Sequence, residues 1–181
     1  MYLAIESRSA WDHVFLFPPA LLEELKFWFC SIESFNGYSI LPSLDSSTVV
    51  FSDGSDAAFG GFSVSLDGTV ASGMFIIYDL GQSSTFRELK AICYVLISFV
   101  EHLKHGRVKI FTDDQNATRI VSVGSSKVHP QSVALSIFRF CFSHGIALEA
   151  QWIPRSLNER ADISSRFVDK DDWRINHRAV Q

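Results

Sequence analysis

The change of hydrophobic period near residue 80 limits this chain to few folds. Between residues 48 and 78 the apolar positions read as strands: "TVVFSD", then "AFGGFSVSL", then "TVASGMFIIY". Asp67-Gly68, between the second and third, is a hairpin signal, because both residue types tolerate the left-handed backbone of a tight turn. A three-stranded antiparallel meander is the simplest account of 48–78. Beyond it no two strands follow one another. In "SSTFRELKAICYVLISFVEHLKHG", Phe86, Leu89, Ile92, Cys93, Leu96, Phe99, Val100 and Leu103 recur at helical spacing. Ser83, Ser84 and Thr85 offer a cap and Gly106 a stop. "RVKIFTDD" is a strand, "QNATRIVSVGSS" a short helix closed by Gly124, and "PQSVALSIFRFCFSHG" a helix opened by Pro130 and closed by Gly145. "IALEAQWIP" is a strand and "SLNERADISSRF" a polar helix. The order β-β-β-α-β-α-α-β-α predicts an α/β fold. Strands joined through helices return parallel, so one five-stranded mixed sheet is expected, three antiparallel strands and then two parallel ones, flanked by helices.

An added helix precedes the sheet. Pro18 and Pro19 suit a helix start, Leu21, Leu22, Leu25, Trp28 and Phe29 recur at helical spacing, and Gly37 offers the stop. The expected organisation is a connection segment over 1–46 carrying this helix, a core domain over 47–168 and a tail over 169–181. The chain has 181 residues, 47% of them hydrophobic, enough for one domain with a full core. No apolar run approaches the ~20 residues of a membrane span, and Glu6 and Asp12 sit where a signal peptide would be basic and then apolar. Cys30, Cys93 and Cys141 lie far apart in apolar surroundings without zinc spacing, as in a reduced intracellular protein. The net charge of −4 opposes a polyanionic partner, but it is unevenly spread. Residues 1–60 hold Arg8 and Lys26 against eight acids, whereas fourteen of the sixteen basic residues fall from Arg87 onward. No dense basic run exists, so a grip on nucleic acid would be modest and salt-sensitive.

Four acids fall at informative places. Asp53 ends the first strand, Glu88 lies in the first turns of the long helix, Asp113 ends the fourth strand and Asp162 lies in the last helix. If the first and fourth strands are parallel neighbours, Asp53 and Asp113 emerge at the carboxyl edge of the sheet, where open α/β sheets place their sites. Carboxylates crowded there need a counter-charge. A divalent cation supplies it, and hard oxygen ligands suit magnesium shared with a substrate phosphate. Taken singly, each acid has a plainer role: Asp53 and Asp56 as turn formers, Glu88 as a capping-box partner, Asp113 or Asp114 as a helix cap, Asp162 as a solvated helix residue.

Together, "FSDGSDAAFGGFSV", "SSTFRELKAI", "FTDDQNATRIV" and "NERADISSR" resemble the four catalytic blocks of ribonuclease H, in order, over roughly residues 20–168. The segments "ELKFWF" and "WIPRSLNERADISSRF" are similar to ribonuclease H domains of retrotransposon reverse transcriptases of the DIRS-like type. The resemblance implies a metal-dependent endonuclease that cuts the RNA strand of RNA–DNA hybrids with two magnesium ions, or manganese. Asp53, Glu88, Asp113 and Asp162 would be the catalytic metal ligands, and an adjacent polymerase domain the partner. Ser84, Thr85, Gln115, Arg155 and Asn158 are the residues expected to meet the substrate. Two features depart from cellular members: "WIPRSLNER" has no histidine, and "VGSSKVHPQ" is too short for their basic insertion. Two other functions stay open. One is a non-catalytic nucleic-acid-binding or scaffold domain of the same fold. The other is an integrase or transposase relative, against which stands a glutamate in the long central helix rather than the last one.

Overall fold

The structure, a computed structural model, describes Asp12 and residues 16–35 and 48–166. Five strands form one sheet: β1 (Thr48–Gly54), β2 (Ala58–Ser63), β3 (Val70–Met74), β4 (Arg107–Thr112) and β5 (Ala147–Trp152), in the order β3-β2-β1-β4-β5. β1 pairs antiparallel with β2, and β2 with β3, while β4 runs parallel to both β1 and β5. This is the mixed sheet that the alternation of elements predicts. The helices are α1 (Pro19–Phe35), α2 (Ser84–Ser98), α3 (Val100–Leu103), α4 (Gln115–Val123), α5 (Val128–Ser143) and α6 (Glu159–Arg166). The stop expected at Gly37 and the tail 169–181 lie outside the described residues.

Several boundaries differ from the sequence reading, each for a local reason. β2 ends at Ser63 and a 3-10 turn over Val64–Leu66 follows, so Asp67 (φ 51°) and Gly68 (φ 73°) close a longer connection than a two-residue hairpin. β3 stops at Met74, and Asp79, held by the Tyr94 hydroxyl at 2.9 Å, draws the following segment onto α2. The long helix breaks at Phe99 (φ −101°, ψ 8°), whose buried ring belongs to the core. α5 starts before Pro130, which lies within the first turn, where the missing N–H costs nothing.

β1 separates two packing layers. Val50, Val108 and Ile110 are buried with Leu89, Ile92, Val95 and Leu96 of α2. On the opposite face Phe51 stacks on Phe62 (centroids 4.5 Å apart) and on Phe111 (5.1 Å), and Arg160 of α6 lies over the Phe62 ring. The adjacent Gly60 and Gly61 let both helices reach the sheet backbone. A Cβ on Gly60 would stand 2.2 Å from the Ser165 amide nitrogen, and one on Gly61 2.5 Å from Val95 Cγ2. α1 sits outside this sandwich, with Phe27 packed edge-on against Phe138 and Phe142 of α5.

Candidate active site

The parallel register of β1 and β4 pairs Phe51 with Phe111, so two residues further along Asp53 and Asp113 leave the sheet side by side. α2 delivers Glu88 to the same edge. One carboxylate oxygen from each of Asp53, Glu88 and Asp113 can be chosen so that all three lie within 4.8 Å of one another. Asp53 and Glu88 are buried and Asp113 is half-buried. Opposite ligands of a magnesium ion lie roughly 4 Å apart, about twice its metal–oxygen bond, so the three carboxylates need close only slightly around one. Their hard oxygen chemistry fits magnesium or manganese.

Each carboxylate is held from a different element. Glu88 accepts the Gly54 amide at 3.1 Å and the Thr112 hydroxyl at 3.1 Å, which spans the two central strands. It is not a capping-box partner: Ser83 caps α2 by accepting from the Phe86 amide. Asp53 accepts a short hydrogen bond from the buried Ser165 hydroxyl of α6. Asp113 takes no cap role; its neighbour Asp114 caps α4 by accepting from the Ala117 amide at 2.8 Å. The Trp152 indole N–H donates to the Asp113 carbonyl at 3.0 Å, tying the strand end to β5.

Burial and crowding shift these groups together. Burial, with the nearby Asp53 charge adding to it, pushes Glu88 from 4.5 up to about 8. Burial also raises Asp53, helped by the charges of Asp113 and Asp162 and opposed by the Ser165 hydrogen bond. Asp113 is raised by burial and by Asp162 and Asp114, against the pull of Arg155. Asp162 behaves oppositely. Its partial burial is outweighed by hydrogen bonds from Arg166 and Arg155, which hold it below the ordinary aspartate value.

The residues expected to meet substrate divide into two sets. Ser84, Gln115 and Arg155 line the polar cavity of about 590 Å³ that opens over the carboxylates. Thr85 and Asn158 are engaged elsewhere. Thr85 donates to Asp114 at 2.9 Å, joining the starts of α2 and α4. Asn158 is fully buried and donates to the Ser52 carbonyl at 3.0 Å, so it fastens the start of α6 to β1 rather than facing a substrate. Sequence reasoning missed Ser165, Thr112 and Arg166. Ser165 stands one helical turn after Asp162, and that i, i+3 spacing was the available signal.

No known family profile and no curated protein matches the sequence. Solved structures do. The fold is ribonuclease H-like: a mixed five-stranded sheet flanked by helices, with an added N-terminal helix. Ribonuclease H1 from the halophilic archaeon Halobacterium salinarum NRC-1 superposes with a TM-score of 0.54 at 18% identity, over 66% of this chain and 95% of that one. LC11-RNase H1, solved in complex with an RNA/DNA hybrid, gives a TM-score of 0.57 at 14% identity over 66% and 94%. The N-terminal RNase H domain of a Mycobacterium tuberculosis protein, solved as a fusion with maltose-binding protein, gives 0.53 at 17% over 67% and 91%. At these identities the likeness establishes the fold.

Proposed function

We propose that this chain is a ribonuclease H-type endonuclease that hydrolyses the RNA strand of RNA–DNA hybrids, using two divalent cations, magnesium or manganese. The observation that carries the reading is the meeting of Asp53, Glu88 and Asp113 at the carboxyl ends of the central strands. The fold supports it, since a solved neighbour holds an RNA/DNA hybrid. When bound, the cations supply an activated water and a counter-charge for the leaving 3′ oxygen. The chain's own residues do the rest. Asp53, Glu88 and Asp113 hold the ions, with Asp162 as fourth ligand. Thr112 and the Gly54 amide fix Glu88, and Ser165 fixes Asp53. Ser84 and Gln115 line the cavity where 2′-hydroxyls and groove shape would be read.

A retroelement reverse transcriptase is the setting we assign, with the connection segment 1–46 leading from a polymerase domain into a ribonuclease H-like domain over 47–168 and a tail over 169–181. In support, α1 leaves Leu22, Leu25, Phe29 and Ile32 exposed on one stripe, apolar surface suited to a neighbouring domain. The non-catalytic reading has one observation in its favour: both oxygens of Asp162 are already taken by arginines. A labelled hybrid incubated with magnesium, manganese or chelator, beside an Asp113→Asn control, decides between them. Cation-dependent cleavage yielding 5′-phosphate and 3′-hydroxyl ends, lost in the control, is expected. Binding without cleavage under every condition would leave a scaffold.

A further inference from the structure

The fourth acid does not join the other three. Asp162 accepts from Arg166 through both Nε (2.8 Å, to Oδ2) and Nη2 (3.0 Å, to Oδ1), and Arg155 Nη2 makes a short hydrogen bond to the same Oδ1. Both carboxylate oxygens are therefore committed. Arg155 and Arg166 line the cavity over Asp53, Glu88 and Asp113, and Asp162 is not among the lining residues. Two guanidinium groups that line the cavity are thus the ones bonded to this carboxylate. Their side chains are 64% and 58% exposed, whereas the Asp162 side chain is 20% exposed. Both guanidinium groups reach solvent, where an incoming anion can compete for them, and a guanidinium binds phosphate in the same forked geometry as carboxylate.

We propose that Arg155 and Arg166 form a latch on Asp162 that a substrate phosphodiester opens. This rests on the nuclease reading above. Without nucleic acid the arginines neutralise Asp162, and the cluster of Asp53, Glu88 and Asp113 holds a single divalent ion. When a hybrid enters, its phosphates draw the two guanidinium groups away and Asp162 becomes free to hold a second ion. The two events are linked: hybrid must tighten the second ion by the same factor by which that ion tightens hybrid. Arg155 and Arg166 thereby act as substrate-binding residues that also set the order of assembly.

The test counts manganese. Mn²⁺ is titrated into the 181-residue protein without nucleic acid, with the free aqua ion followed by electron paramagnetic resonance. The proteins are wild type, Arg155→Gln/Arg166→Gln, and the same pair with Asp162→Asn. One ion in the wild type, two in the double variant and one again in the triple variant is the expected result. A second ion in the wild type, or only one in the double variant, would overturn the latch and leave the nuclease reading standing. No ion in any of the three would overturn both. In a second arm, hybrid affinity is measured against salt in Ca²⁺, an oxygen-seeking ion that fills the cluster without supporting cleavage. The double variant should bind more weakly, with the slope of log K against log salt lowered by roughly 1–2, at about 0.9 per lost phosphate contact. An unchanged slope would show that these arginines never leave Asp162.

Discussion

Glu88→Gln should stabilise the metal-free protein at alkaline pH while abolishing cleavage. Glu88 is buried beside Asp53, and its carboxyl is pushed from 4.5 up to about 8. Between those two values the folded protein retains a proton that the unfolded chain has released, so stability falls as pH rises through this window and levels off above it. At about 1.36 kcal/mol per unit, the ionised side chain costs the fold roughly 3–5 kcal/mol above pH 8. Glutamine keeps an acceptor for the Gly54 amide and offers its NH₂ to the Thr112 hydroxyl, but carries no charge. In chelator the variant should match wild type near pH 4.5 and exceed it near pH 9. For a chain of this size about 1 kcal/mol moves Tm by roughly 2–4 °C, so a gain on the order of 10 °C is expected at pH 9. Manganese should reverse the order, because the cation stabilises whichever protein binds it and a neutral amide is a poorer ligand than the carboxylate it replaces. The assay is thermal unfolding followed by circular dichroism at the two pH values, with chelator or Mn²⁺. A variant less stable than wild type by the same margin at both pH values would refute the reasoning, since Glu88 would then act as a hydrogen-bonding core residue only.

Asp53→Asn should remove hybrid cleavage and leave the Tm of the chelated protein unchanged or higher, because it relieves repulsion from Asp113 and Asp162; near-normal cleavage by this variant would take Asp53 out of the site. Gly60→Ala should lower stability by roughly 1–3 kcal/mol or more and reduce cleavage with it, since the new methyl would stand 2.2 Å from the Ser165 amide and push α6 off the sheet; a wild-type Tm in chemical or thermal unfolding would count against that packing. Hybrid binding by residues 1–181 should be weak and fall with a log–log salt slope of only a few, at about 0.9 per phosphate contact; tight, salt-insensitive binding would point to a base-stacking surface instead.

The sheet was legible because its signals are local and repeated. A period of two over 48–78, then helices between all later strands, leaves few ways to order five strands. The carboxyl-edge placement of Asp53 and Asp113 follows from that order alone. What stayed hidden depended on side-chain direction across layers. Asn158 sits next to a polar helix start and reads as exposed, yet its amide is drawn into the sheet by the Ser52 carbonyl. Thr85 reads as a substrate-facing donor, yet Asp114 lies within its reach once α2 and α4 begin side by side. Gly60 and Gly61 fall inside the strand "AFGGFSVSL", where the sequence offers no reason for them. Their reason is the approach of α6 on one face and α2 on the other, which only the assembled layers define. Ser165 is invisible until α6 lies on β1, because a serine in a polar helix is ordinarily solvated.

The charge of the cavity explains why the order of assembly matters. Asp53, Asp56, Glu88, Asp113 and Asp114 line it, with Asp162 bonded to two of its arginines, against the guanidinium groups of Arg87, Arg155 and Arg166. Six carboxylates face three cations, so the empty site repels a phosphodiester unless protons or metal ions intervene. Protonation of Glu88 removes one charge near neutrality, which is what its raised value means in physical terms. A divalent ion held by Asp53, Glu88 and Asp113 offsets two carboxylate charges and turns the mouth of the cavity from repulsive toward neutral. Arg87 adds no free attraction, since its guanidinium is held by Asp56 at 2.6 Å and by the Gln82 carbonyl at 2.5 Å. Of the three arginines, only Arg155 and Arg166 are exposed enough to change partners. A substrate phosphate approaching the ion-loaded cluster therefore meets two exchangeable cations, and drawing them off Asp162 uncovers the remaining carboxylate where a second positive charge is then required.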